Sequence, residues 1–170
     1  WIELDVTIKE IPIFYREGSI VPSDMNLNAD EKENTSKRYN TMVGLTYWPS
    51  LMQSSFNLFW DDGKSKNNLE TKKYDLTNFT AQQVDEKTIL FKAKDEKTPA
   101  LQRDWAFILS IPLSKKPTKI FIQGRELKIQ EQDSFSNYPE MYGAFWISNN
   151  MLIIKPNAAY LKELNIKISL

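Results

Sequence analysis

Neither histidine nor cysteine occurs in the sequence, and glycine appears only 5 times in 170 residues. The first two absences remove the usual zinc and iron ligands, the Ser-His-Asp and Cys-His constellations, and thiol redox chemistry. Any catalysis would fall to carboxylates, lysine or tyrosine, with no metal and no cofactor expected. Gly18, Gly44, Gly63, Gly124 and Gly143 never assemble into a phosphate-cradling loop. No sign of charge prevails, since 22 Lys+Arg face 22 Asp+Glu, so there is no electrostatic reason to expect nucleic acid or a membrane as partner. A run of about 18 apolar residues is missing, as is a charged-then-apolar leader. A first residue of Trp1 reads as that of an excised fragment, which leaves the compartment of the parent unknown.

What is there is period-two alternation. Ile2, Leu4, Val6 and Ile8 share one face near the start, and Leu164, Ile166, Ile168 and Leu170 share one at the end. Similar runs, rich in β-branched and aromatic residues, predict strands over 41–48, 56–60, 88–93, 105–113, 118–122, 126–129, 144–148 and 151–155. Turn chemistry separates them at Asp61-Asp62-Gly63-Lys64, Asp85-Glu86-Lys87, Gln123-Gly124-Arg125 and Ser148-Asn149-Asn150. Helical patterning is nearly absent; 29–39 lacks an apolar stripe and reads as a charged loop, and 158–163 is the other candidate. Many short strands with short turns predict an all-β chain, an antiparallel β-sandwich arranged as two small packed domains. The polar stretch Gly63 to Thr71 sets the expected boundary, giving domains 1–69 and 70–170, and 93–102 reads as a long surface loop.

Few side-chain constellations suggest chemistry. Asp61 and Asp62 are adjacent, so in extended chain they point to opposite faces and cannot act as a glycosidase carboxylate pair. Before Gly63 their expected role is to bond backbone amides of a sharp turn, a calcium or inter-domain role being the alternative. Trp48, Trp60, Trp105 and Trp146 sit in apolar strand patterns where large rings fill cores, whereas exposed rings would offer a stacking platform to sugars. Asn34-Thr35-Ser36 and Asn78-Phe79-Thr80 match the short glycosylation pattern and are taken as chance.

Two longer stretches carry a resemblance. Ile11-Pro12-Ile13-Phe14-Tyr15-Arg16-Glu17-Gly18-Ser19-Ile20-Val21-Pro22 resembles the line that follows the catalytic barrel in glycoside hydrolase family 31, the α-glucosidase and α-xylosidase family. Phe56-Asn57-Leu58-Phe59-Trp60-Asp61-Asp62-Gly63-Lys64-Ser65 is similar to its later Asp-Asp-Gly element, at about the expected distance. Tyr47-Trp48-Pro49 matches a strand ending in aromatic-Pro, and Pro117 to Gly124 is similar to a strand of the distal domain. Trp60 and Phe59 depart from the residues common there, which leaves the subfamily open.

The resemblance implies the proximal and distal C-terminal β-sandwich domains of such an enzyme, with the catalytic (β/α)8 barrel absent. The family's catalytic aspartates lie on that barrel, so no catalytic residue carries over. Arg16, Gly18, Pro22, Asp61, Asp62 and Gly63 match structural motif positions. On the residues' own logic, Gly18 lets the chain turn tightly, Ile20 and Val21 enter the core and Pro22 ends the pairing. The implied partner is the barrel of the same parent chain, which hydrolyses α-linked glucosides or xylosides, with oligosaccharide as a further ligand. The alternative is an independent carbohydrate-binding module, which needs at least two Trp or Tyr rings exposed on one surface.

Overall fold

The computed structural model describes residues 13–24, 42–61, 66–72, 74–96, 106–132, 142–156 and 163–170. Within them the strands are β1 (Ile20–Asp24), β2 (Met42–Tyr47), β3 (Ser54–Asp61), β4 (Tyr74–Asp85), β5 (Thr88–Asp95), β6 (Ala106–Pro112) and β7 (Lys119–Ile122). They continue with β8 (Arg125–Leu127), β9 (Ile129–Gln132), β10 (Gly143–Ile147), β11 (Met151–Lys155) and β12 (Glu163–Ser169), and a single helical turn, α1 (Asn68–Thr71), precedes β4. Two six-stranded sheets result, ordered β1-β2-β6-β11-β10-β9 and β3-β4-β5-β12-β7-β8.

The alternation decides which side of each strand is inward. Val43, Leu45 and Tyr47 of the first sheet, and Ile89, Phe91, Ala93, Leu164, Ile166 and Ile168 of the second, all enter one buried cluster. Phe107 on β6 meets Phe79 of β4 edge-on at 5.4 Å and Phe91 of β5 at 6.0 Å, so rings from both sheets interlock at the centre. The chain is therefore a two-layer all-β sandwich. Strands β6, β10 and β11 are buried on both faces, because Ile108, Phe145, Ile147 and Ile153 form a second cluster. That explains their continuous apolar runs, which carry no clean alternation.

Several expectations need correction. The first sheet is mixed rather than antiparallel, since β2 runs parallel to β6 and β9 parallel to β10. Such pairs need a crossover, and β2 reaches β6 through β3 to β5 of the other sheet. Pro22 does not end pairing: β1 stays paired to β2 through Asp24↔Val43. With β1 the outermost described strand of its sheet, proline's missing N–H costs no ladder bond if it faces away from β2. Only Ile20 is buried, whereas Val21 is half-buried on the opposite face. The single strand predicted over 126–129 is two, β8 and β9, one in each sheet, with Leu127 and Ile129 both packing on the core.

The turns follow their chemistry. Gln123 and Gly124 both take positive φ, 50° and 76°, which is what a two-residue hairpin between β7 and β8 requires. Between β4 and β5 the Asp85 carboxylate accepts the Lys87 amide at 2.7 Å. Residue 69 lies in α1, yet β3 and β4 on either side pair from Ser54↔Ala81 to Asp61↔Tyr74. With β2 also bonded to β6, both sheets draw on chain from both sides of the expected 1–69 and 70–170 division. Ala93, expected to open a surface loop, is a buried residue of β5. The predicted strand 2–8 and the segment 29–39 lie outside the described residues, as does 158–162, while Glu163 opens β12.

Candidate functional site

One end of the sandwich holds Arg16 and Gly18, at the Ser54 end of β3, whereas Asp61 lies at the other end of that strand. Arg16 to Ser19 form a β-turn closed by the Ser19 amide on the Arg16 carbonyl at 3.0 Å. Gly18 is its third residue, with φ 83°, a backbone setting that side chains resist. The Gly18 amide then donates to the Trp48 carbonyl at 2.9 Å, and the Trp48 amide to the Ser19 carbonyl at 3.1 Å. Glycine is also needed for space, because a Cβ there would lie 2.8 Å from Ser54 Oγ and 3.3 Å from Ser50 Cβ.

Around this contact β1, β2, β3 and β4 are tied together. Tyr47 is fully buried at the end of β2, and its hydroxyl accepts the Ser50 amide at 3.1 Å. Burial pushes the phenol pKa above its usual value, against the lowering effect of backbone bonds with Ser50 and Gln83. Its role is as a neutral hydrogen-bonding peg. The Ser50 carbonyl accepts the Gln83 amide from β4 at 2.8 Å, and the Gln82 side chain holds the Leu51 carbonyl at 2.9 Å. Ser50 Oγ accepts the Met52 amide at 3.1 Å. The crossover from the first sheet to the second is thus fixed at Trp48, Ser50, Leu51 and Met52.

This fixed crossover presents apolar side chains to solvent. Leu51 and Met52 are 65% and 73% exposed, and on the neighbouring segment Ile13 and Phe14 are 69% and 67% exposed. Tyr15 lies flat on the half-buried Trp48, ring centroids 4.0 Å apart, which anchors that segment to the crossover. Isolated exposed leucines need no explanation, but two adjacent pairs of large exposed apolar residues on segments joined at Trp48 are side chains suited to packing against another protein layer.

The sequence-predicted motif residues divide accordingly. Arg16 is exposed, Gly18 is at the contact just described, and Pro22 is exposed on β1. Asp61 is half-buried at the end of β3, opposite Tyr74, while Asp62 and Gly63 lie outside the described residues. Among the described residues no group of three His, Cys, Asp or Glu could hold a metal ion, and no helix is long and apolar enough to cross a membrane. Trp146 is half-buried against the core; Trp1, Trp105 and the Trp60 side chain lie outside the described residues. Tyr142 is exposed, while Tyr39 and Tyr138 lie outside the described residues. Asn78 sits mid-strand and donates to Asn57 at 2.7 Å, and Asn34 is outside the described set. Sequence reasoning missed Tyr15, Ser50 and Ser54; only Tyr47, two residues before Pro49 in the aromatic-Pro strand end, carried a signal.

Fold and site together define an all-β sandwich module with exposed apolar side chains on an anchored crossover. The same sandwich occurs within larger carbohydrate-active enzymes. A glycoside hydrolase family 31 dextranase from Flavobacterium johnsoniae, solved with isomaltotriose, matches 98% of this chain with a TM-score of 0.78 and 24% identity. An α-1,4-glucan lyase from Gracilariopsis lemaneiformis matches 96% with a TM-score of 0.75 and 20% identity. A cycloalternan-forming enzyme from Listeria monocytogenes matches 91% with a TM-score of 0.54 and 14% identity. The chain spans only 21%, 17% and 13% of those three proteins. No family model and no curated protein matches it.

Proposed function

We propose that the chain is the non-catalytic C-terminal β-sandwich region of an α-glycosidase of the glycoside hydrolase family 31 type, and that it stiffens a (β/α)8 catalytic barrel in the same parent chain. The observation that carries this reading is the asymmetry of the match, 98% of this chain against 21% of the dextranase. The rim of Ile13, Phe14, Leu51 and Met52 is the surface that would pack on the barrel, each burial being worth roughly 1.5–3 kcal/mol. Arg16, Gly18, Pro22, Asp61, Asp62 and Gly63 then serve the fold, and hydrolysis of α-linked glucosides or xylosides belongs to two barrel carboxylates of a retaining enzyme.

This reading predicts that the pure chain releases no nitrophenol from nitrophenyl α-glucoside or α-xyloside. Turnover that tracks the purified protein would show that an active site lies within these 170 residues. The carbohydrate-module alternative requires two exposed Trp or Tyr rings on one surface. Tyr15 at the rim is partly committed to its stack with Trp48, so the rim favours a protein partner over a sugar.

A further inference from the structure

The outer face of the second sheet holds a hollow of about 350 Å³, lined by Lys92, Phe121, Gly124, Asn165 and Lys167 over the backbone of Phe91 and Ile166. That volume lies at the lower end of the range typical of small-ligand sites, about 300–1,000 Å³. The strand register explains its chemistry. Lys92 on β5 is directly opposite Asn165 on β12, and Lys167, two residues on, is opposite Phe121 of β7. Lys92 and Lys167 are therefore diagonal neighbours on one face, about 7 Å apart along the backbone.

Other charges on this face are matched. Lys119 lies 3.9 Å from Glu126, and Lys94 is in register with Glu163. Asn165 donates to Glu163 at 3.3 Å and to Gln123 at 3.4 Å, which orients its amide. Lys92 and Lys167 are both exposed and make no ion pair or hydrogen bond among the described residues. Glu163 is the other diagonal neighbour of Lys92 and Glu126 is opposite Phe121, but neither carboxylate makes an ion pair with Lys92 or Lys167 among the described residues; the two like charges repel, and an anion seated between them removes that repulsion.

We infer that this hollow is a binding site for an acidic saccharide unit, a hexose bearing a carboxylate or sulfate. The acidic group sits between the Lys92 and Lys167 ammonium groups, a hydroxyl donates to the Asn165 amide oxygen, and the Phe121 ring offers an apolar face to the sugar. The saccharide half of the inference rests on the glycosidase reading; the anionic half rests on the register alone.

Titration calorimetry of the chain tests it, using a sulfated dextran oligosaccharide, a glucuronate-bearing oligosaccharide, unsulfated dextran of equal length, and sodium sulfate. Saturable binding of at least one acidic oligosaccharide is expected, weakening as salt is raised. Lys92→Gln and Lys167→Gln should each lower affinity about fivefold, and Lys66→Gln, on the connection from β3 to α1, should not. Which acidic oligosaccharide binds tells carboxylate from sulfate. No binding, equal affinity for unsulfated dextran, or equal loss in Lys66→Gln would overturn the site; sodium sulfate binding as tightly as the oligosaccharides would overturn its saccharide part. None of these outcomes bears on nitrophenyl glycoside hydrolysis, so failure here and failure of the glycosidase reading are separately visible.

Discussion

Replacing Gly18 with alanine separates two costs that the structure places on one residue. Its φ of 83° charges any L side chain about 1–2 kcal/mol. The added Cβ would also lie 2.8 Å from Ser54 Oγ, closer than real contacts allow, and a tight 3.3 Å from the buried Ser50, which adds about 1–2 kcal/mol of overpacking. Gly124 provides the control, since its φ of 76° is similar but a Cβ there would meet nothing within 4 Å. Gly124→Ala should therefore cost about 1–2 kcal/mol and Gly18→Ala about 2–4 kcal/mol. Urea unfolding followed by tryptophan fluorescence measures both, the midpoints being comparable if the slopes agree. For a chain of this size 1 kcal/mol corresponds to roughly 2–4 °C in Tm. Adding Ser54→Ala to Gly18→Ala should restore about 1 kcal/mol, a coupling that independent sites do not show. Equal losses at the two glycines, with no recovery from Ser54→Ala, would refute the close contact between the turn before β1 and Ser54 of β3.

Tyr47→Phe removes the acceptor of the buried Ser50 amide and should cost about 1–3 kcal/mol, read in the same unfolding experiment; an unchanged midpoint would show that the crossover does not depend on the peg. Phe107→Ala empties the place where β6 meets β4 and β5 and should cost about 3–5 kcal/mol, with a loss below about 1 kcal/mol contradicting a shared core. Asp95 on β5 has its carboxyl pKa raised, chiefly by burial and secondarily by Asp75, with the Thr77 hydroxyl opposing at 2.8 Å. Because the folded state holds that proton more tightly than the unfolded chain, whose value is about 3.9, this contribution is present below that value. It is lost as pH rises through the folded pKa. Asp95→Asn should flatten that fall in an unfolding series across acidic pH, and an unaltered pH profile would remove Asp95 as its source.

How much the sequence made legible depends on which way each strand's residues point. Strands β5 and β12 read directly, because Ile89, Phe91 and Ala93, and Leu164, Ile166 and Ile168, alternate on the inward face, Leu90 being the one apolar residue of the two strands on the outer face. The longest strand, β4, escaped notice for the opposite reason: its buried face carries Asp75 and Thr77 before Phe79 and Ala81, while Tyr74 and Leu76 lie on the other side. Binary patterning fails where polar residues are buried near a sandwich end. Sheet membership was also hidden, since Leu127 and Ile129 keep one strand's periodicity although the chain passes between sheets at Lys128.

The site was legible only in part. Gly18 announced a turn through its residue type, but its neighbours Ser50 and Ser54 are 32 and 36 residues on and carry no pattern. The stack of Tyr15 on Trp48 likewise joins separate segments. The Lys92, Asn165, Lys167 and Phe121 hollow requires the register of three strands, which alternation alone does not determine.

On the function proposed above, this sandwich belongs to a larger glycosidase chain and packs on its barrel. Reading the coding sequence immediately upstream of Trp1 tests it most directly. The expected result is an open frame that encodes a (β/α)8 barrel carrying two catalytic aspartates and continues in phase into Trp1. A stop codon in frame just upstream, or a preceding domain of another fold, would contradict it.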